Sequence, residues 1–252
     1  MEESRRLAYL ERLGITVWQR RGVLTDPGPP TPPKLEAGDG DEAEAPGAAA
    51  SATPAGCLRH RAASLDWESL REAVLACTAC GLHAGRRQAV FGVGNREADW
   101  LIVGEAPGAE EDRQGEPFVG RAGKLLDNML AAIGLDRQRA YIANILKCRP
   151  PNNRDPRPEE AAACAPWLNR QIDLIRPRII LAVGRVAAQH LLHTERPVGR
   201  LRGETHWLEL GQLRVPVIVT YHPAYLLRSP LEKRKAWEDL QRARRLYRES
   251  AS

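Results

Sequence analysis

The stretch WLIVGEAPG, Trp100–Gly108, decides the fold. A short apolar run that ends in a Gly/Pro-rich turn reads as a buried strand leading into a loop. Three further short runs of the same kind follow, Tyr141–Ile145, Ile179–Val183 and Val217–Thr220. Helical patterns lie between them, near Ala122–Ile133, Pro158–Ile175 and Arg185–Leu192, with Pro166 expected to kink or split the second. Ser64 or Asp66 can cap an earlier helix running to about Ala76, and a basic amphipathic stretch spans about Pro230–Tyr247. Asp136–Ala140 carries no strong signal. Strands alternating with helices predict a parallel sheet covered on both faces. Ligands of such sheets bind outside the carboxyl ends of the strands. The Gly104–Gly108 turn, Asn144 and His222-Pro223 all fall at such ends, so one cleft can hold all three.

Composition limits what the protein can be. The 252 residues are 43% hydrophobic, enough for a sizeable core. No apolar run approaches the roughly 18 residues of a membrane span, and no secretory leader is recognisable, so a soluble protein of the cytoplasm is expected. The net charge of +5 is uneven: residues 1–64 hold 8 Lys+Arg against 9 Asp+Glu, whereas the remainder holds 29 against 23. A basic globular part suits a polyanionic partner. Three zones follow: a charged segment at 1–24 with spaced apolar residues, a Pro/Ala/acidic linker at 25–64, and a globular domain at 65–248. The linker cannot bury enough apolar surface to offset its conformational entropy.

Five cysteines without an export signal point away from a disulfide scaffold. Four form Cys77-x2-Cys80, then Cys148 and Cys164, with 67 and 15 residues between; Cys57 lies in the linker. Four thiolates suit zinc or an iron–sulfur cluster, and spacing does not choose between them; four buried free thiols are the competing reading. Glu105, Glu110, Glu111 and Asp112 make the first loop too acidic for a nucleotide-phosphate cradle, leaving a solvated loop or an acid/base site. His222 stands just past a buried strand, where a catalytic imidazole would sit.

Three segments together carry a resemblance: GEAPGAEEDRQGEPFVGRAG (Gly104–Gly123), NILKCRPPNNR (Asn144–Arg154) and TYHPAYLLR (Thr220–Arg228). With the four cysteines, they resemble the family 4 uracil-DNA glycosylases over about residues 70–247. The resemblance implies a three-layer α/β/α fold around a central four-stranded parallel sheet. It implies a [4Fe–4S] cluster on Cys77, Cys80, Cys148 and Cys164, with zinc as the lesser alternative. Glu105 matches the acid that positions the attacking water, and Glu111 the second acid of that loop. Phe118 matches the aromatic that stacks on uracil, Asn144 the amide that reads the base edge, and His222 the histidine beside uracil O2. Gly104 and Ala106 are read as substrate-binding through the backbone of their turn. Pro223–Arg228 matches the segment that enters the minor groove, with Leu226 and Leu227 as candidate wedges. A related family with a covalent histidine nucleophile carries a basic insertion that is absent here, so no covalent intermediate is expected.

The implied function is hydrolysis of the N-glycosidic bond of a flipped-out deoxyuridine, starting base-excision repair. The competing reading is a catalytically weak adaptor that keeps the cleft. Arg149, Arg154, Arg157, Arg228, Lys233, Arg234 and Lys235 are candidate phosphate contacts. The segment SRRLAYLERLGITVWQRR (Ser4–Arg21) resembles the N-terminal peptide of the psi subunit of the bacterial DNA polymerase III clamp loader. Leu7, Leu10, Leu13, Ile15 and Trp18 would be its anchors; packing back on its own domain is the alternative. The expectation is a monomer, in a bacterial cytoplasm, associated with the nucleoid.

Overall fold

The computed structural model describes residues 62–250. The 1–24 segment, Cys57 and all of the linker except residues 62–64 therefore lie outside the described residues. The elements are α1 (Trp67–Leu75), β1 (Val93–Gly94), β2 (Trp100–Gly104), α2 (Ala109–Gln114), α3 (Arg121–Ala132) and β3 (Ala140–Asn144). They continue with α4 (Pro158–Ile175), β4 (Ile179–Val183), α5 (Arg185–Leu192), α6 (Val198–Leu201), β5 (Thr205–Leu210), β6 (Leu213–Thr220), α7 (Pro223–Arg228) and α8 (Lys233–Glu249). Asp66 caps α1, its carboxylate accepting from the Ser69 N–H at 2.8 Å.

The sheet has six strands in the order β1-β3-β2-β4-β6-β5. Its inner four run parallel, but β1 pairs antiparallel with β3 and β5 antiparallel with β6. This corrects the expected four-stranded parallel sheet: it is six-stranded and mixed. Both additions are edge strands, which apolar runs do not reveal. β1 is only two residues long. β5 buries only Leu208 of its six residues, so it reads as polar surface. The missed signal was the Gly211-Gln212 turn joining β5 to β6, with Gly211 at φ +59° as a two-residue hairpin requires.

Residues β2, β3 and β4 are buried throughout, which is why they read as continuous apolar runs. Alternate side chains point to opposite faces. Leu101, Val103, Ile180 and Val217 pack with Leu168 and Ile172 of α4 and Leu191 of α5. Ile102, Ile142, Leu181 and Ile218 pack with Leu126 and Leu130 of α3 and Leu240 of α8. The three-layer arrangement thus holds. Helix α4 runs for 18 residues without splitting at Pro166; burial of its apolar face against the sheet offsets the backbone hydrogen bond that proline removes. No helix among the described residues is long and apolar enough to cross a membrane. Leu130→Ala, at a fully buried position, is expected to cost about 2–5 kcal/mol of stability, read as a lowered urea midpoint with unchanged slope.

Candidate active site

A cleft of about 780 Å³ opens at the carboxyl ends of β2, β3 and β6. Glu105, Ala106, Glu111, Phe118, Asn144 and His222 all line it, so side chains far apart in sequence are brought together as expected. Gly104 lies beneath them. A Cβ there would lie 2.6 Å from Phe118 Cζ and would also collide with Asn144 Oδ1. Only glycine lets the ring and the amide cross the end of β2.

Asn144 closes β3 and is 3% exposed. Its Oδ1 is buried without a hydrogen-bond partner, an arrangement costly enough that a donor is expected to arrive with a ligand. Its own carbonyl is held by the buried Lys147, whose Nζ donates to Asn144 O at 3.1 Å, Phe91 O at 3.2 Å and Gln171 Oε1 at 2.6 Å. Sequence reading missed Lys147; a lysine beside a cysteine looks like surface until the fold buries it. Phe118 sits at φ +55° and its ring stacks on that of His222, with centroids 5.6 Å apart and planes at 30°.

His222 caps α7: its Nδ1 accepts the Ala224 N–H at 3.1 Å. Burial, with Arg228 nearby, lowers its pKa to about 4. The ring is therefore neutral at pH 7, and since Nδ1 accepts, Nε2 carries the proton. Glu105 shows the opposite shift. Burial first, and the Asp155 carboxylate second, raise its pKa to about 7. Glu111 uses both oxygens locally, accepting from the N–H groups of Gly108 (3.1 Å), Val119 (3.1 Å) and Gly120 (3.2 Å). It ties the acidic turn to the loop that follows Phe118.

The cysteines require a correction. Cys77, Cys80, Cys148 and Cys164 do line one cavity, but its volume is about 10 Å³, room for about one water molecule. Among the described residues no group of three or more His, Cys, Asp or Glu could hold a metal ion. The residues as placed do not fit the expected [4Fe–4S] cluster or the zinc alternative. The sulfurs are engaged elsewhere: Cys77 accepts from Ala79 N (3.5 Å), Cys148 from Arg86 Nη1 (2.9 Å) and Cys164 from Lys147 N (3.3 Å). Burial raises the thiols of Cys80 and Cys148, and that of Cys164 to about 12. The four cysteines join Leu70, Val74, Phe91 and Trp167 in a third apolar cluster.

The candidate DNA contacts divide. Arg154 pairs with Glu160 at 2.5 Å, and Arg149 donates to Asn153 at 2.7 Å. Lys235 pairs with Glu232 at 2.8 Å and the exposed Arg234 with Glu238 at 3.9 Å, whereas Arg228 lines the cleft and Arg157 and Lys233 are exposed. Leu226 is 1% exposed and belongs to the core, so it is no wedge; Leu227 is 38% exposed, and Leu231, which sequence reading missed, is 92% exposed. Also missed were Tyr221, Tyr225 and the ion-paired Arg185 and Asp155, all lining the cleft.

Residues 91–241 match the family model of the uracil DNA glycosylase superfamily. A type-4 uracil-DNA glycosylase of Archaeoglobus fulgidus is 48% identical over 171 residues, covering 66% of this chain and 85% of the relative. That of Thermotoga maritima is 44% identical over 181 residues, 70% of this chain and 92% of the relative. The chain belongs to the type-4 uracil-DNA glycosylases. Its activity is accordingly of the glycosylase type, with DNA as a partner. A DNA polymerase of Bacillus phage SP01 also matches, 32% identical over 140 residues, covering 55% of this chain and 15% of the polymerase. For this glycosylase-family cleft, nitrogen NMR of His222 is expected to show a neutral Nε2–H ring across pH 5–8; a titration near 6.5 would contradict its burial.

Proposed function

We propose that this protein is a monofunctional uracil-DNA glycosylase that hydrolyses the N-glycosidic bond of a deoxyuridine flipped out of DNA. The observation that carries this reading is the buried, unpartnered Oδ1 of Asn144. Uracil supplies the missing donor at N3–H and an acceptor at O4 for the amide nitrogen. Cytosine reverses both groups and would leave buried polar atoms unpaired. The Phe118 ring offers the flipped base a π face.

Cleavage breaks the C1′–N1 bond and leaves its electron pair on uracil, with charge reaching O2. The neutral His222 donates from Nε2 to that developing charge, beside backbone N–H groups of the Gly104–Ala106 turn. Glu105, as a carboxylate, orients the water whose oxygen bonds to C1′ and takes up its proton, while favouring the cationic sugar. Glu111 acts by holding the loops in place. Arg228, Arg157, Lys233 and Arg234 supply phosphate contacts, and Leu227 is the remaining wedge at the minor groove. The assembly of these side chains in one cleft favours turnover over an adaptor role.

Single-turnover release of uracil from an oligonucleotide tests this. His222→Ala is expected to lower the rate about 100- to 1000-fold, and Asn144→Asp to abolish preference for uracil; wild-type behaviour of either refutes its role. Because the active form of Glu105 is ionised, the rate should rise with pH through about 7 and this limb should vanish in Glu105→Gln.

We further propose that residues 1–24 tether the enzyme to the replication machinery through the clamp loader, a location that a glycosylase-like segment within a polymerase chain makes reasonable. A flexible linker of about 33 residues, 25–57, would reach a root-mean-square span on the order of 30 Å, letting the enzyme search nearby DNA. A labelled 1–24 peptide should bind purified clamp loader saturably, and Trp18→Ala should remove that binding.

A further inference from the structure

We propose that Arg137 is a positioning residue for uracil release, acting through the backbone of Phe118. The proposal rests on the reading that Phe118 stacks on the flipped base. Arg137 does not line the cleft. It lies in the connection before β3, a stretch without sequence signal.

Its guanidinium donates to the carbonyls of Pro117, at 3.0 Å, and of Phe118, while its Nε holds Asp127 of α3 at 2.7 Å. These bonds meet at a point of backbone strain. Phe118 is at φ +55°, a left-handed conformation that a bulky residue adopts only when its surroundings enforce it. On the other side of the same residue, the next two N–H groups donate to Glu111. The Phe118 carbonyl also lies against Gly123, where a Cβ would collide with it. A cation on the carbonyl side, a carboxylate on the amide side and a missing side chain beneath thus hold one peptide in a strained shape. That shape directs the Phe118 ring over Gly104 and against His222. Without Arg137, the backbone can relax to negative φ and swing the ring off its stacking position. The planar fork of arginine suits two adjacent carbonyls and an acid at once, which a lysine ammonium cannot match.

The test is single-turnover uracil release by Arg137→Gln, Phe118→Leu and the double variant. Arg137→Gln should lower the rate constant about 10- to 100-fold, as misplacement of a catalytic surface does, while the reaction amplitude and the affinity for uracil-containing DNA stay near wild type. Loss of folded protein would lower the amplitude instead, and that result overturns the proposal. In the Phe118→Leu background the same change should have little further effect, because the residues act as one unit. An equal loss in both backgrounds, with Phe118→Leu itself impaired, overturns the role of Arg137 alone. A wild-type rate in Phe118→Leu overturns the stacking reading and the proposal with it. Arg137→Lys keeps the charge without the fork and should remain impaired; a wild-type rate there overturns the proposal too.

Discussion

The pairing of Gly104 with Asn144, the last residues of two adjacent parallel strands, is the constraint around which the cleft is built. Strands buried on both faces leave no place for polar side chains along their length, so chemistry collects where they end. There the absence of a Cβ at Gly104 lets an aromatic ring and an amide pass within contact of the backbone. The amide is then dry, and its acceptor oxygen is left without a partner inside the protein. The proposed selectivity for a base edge rests on that deficit.

Burial acts on two titratable groups of the cleft, His222 and Glu105, in opposite directions. It holds His222 neutral, with pKa near 4, so the imidazole can donate without bringing a full charge into the site. It lifts Glu105 to about 7, so that carboxylate and acid are both accessible near neutrality. One physical cause, exclusion of water from the ends of β2 and β6, therefore produces a neutral donor beside a titrating acid. Burial likewise raises the thiols of Cys80, Cys148 and Cys164. All four cysteines pack with apolar residues, and among the described residues no group of three or more His, Cys, Asp or Glu could hold a metal ion, so a spacing that reads as a ligand set does not become one here.

Much of the fold was legible because the inner strands are uniformly apolar and the helices between them are periodic. The approximate positions of β2, β3, β4 and β6, the α/β/α layering and the convergence of Glu105, Asn144 and His222 all follow from that pattern. The motif spacing also pointed to the family. The edge strands were not legible: two residues make no period in β1, and β5 has too little burial to show one. Tertiary structure alone decided three further matters. It sent Leu226 into the core while leaving Leu227 outside, because two adjacent helical residues face different ways. It buried Lys147 under Asn144, and it recruited Arg137 to the Phe118 backbone from a connection without periodicity. Residue type and order determine which segments must be buried and where a strand has to stop; which side chain then meets an orphaned carbonyl depends on distances that only the folded chain sets.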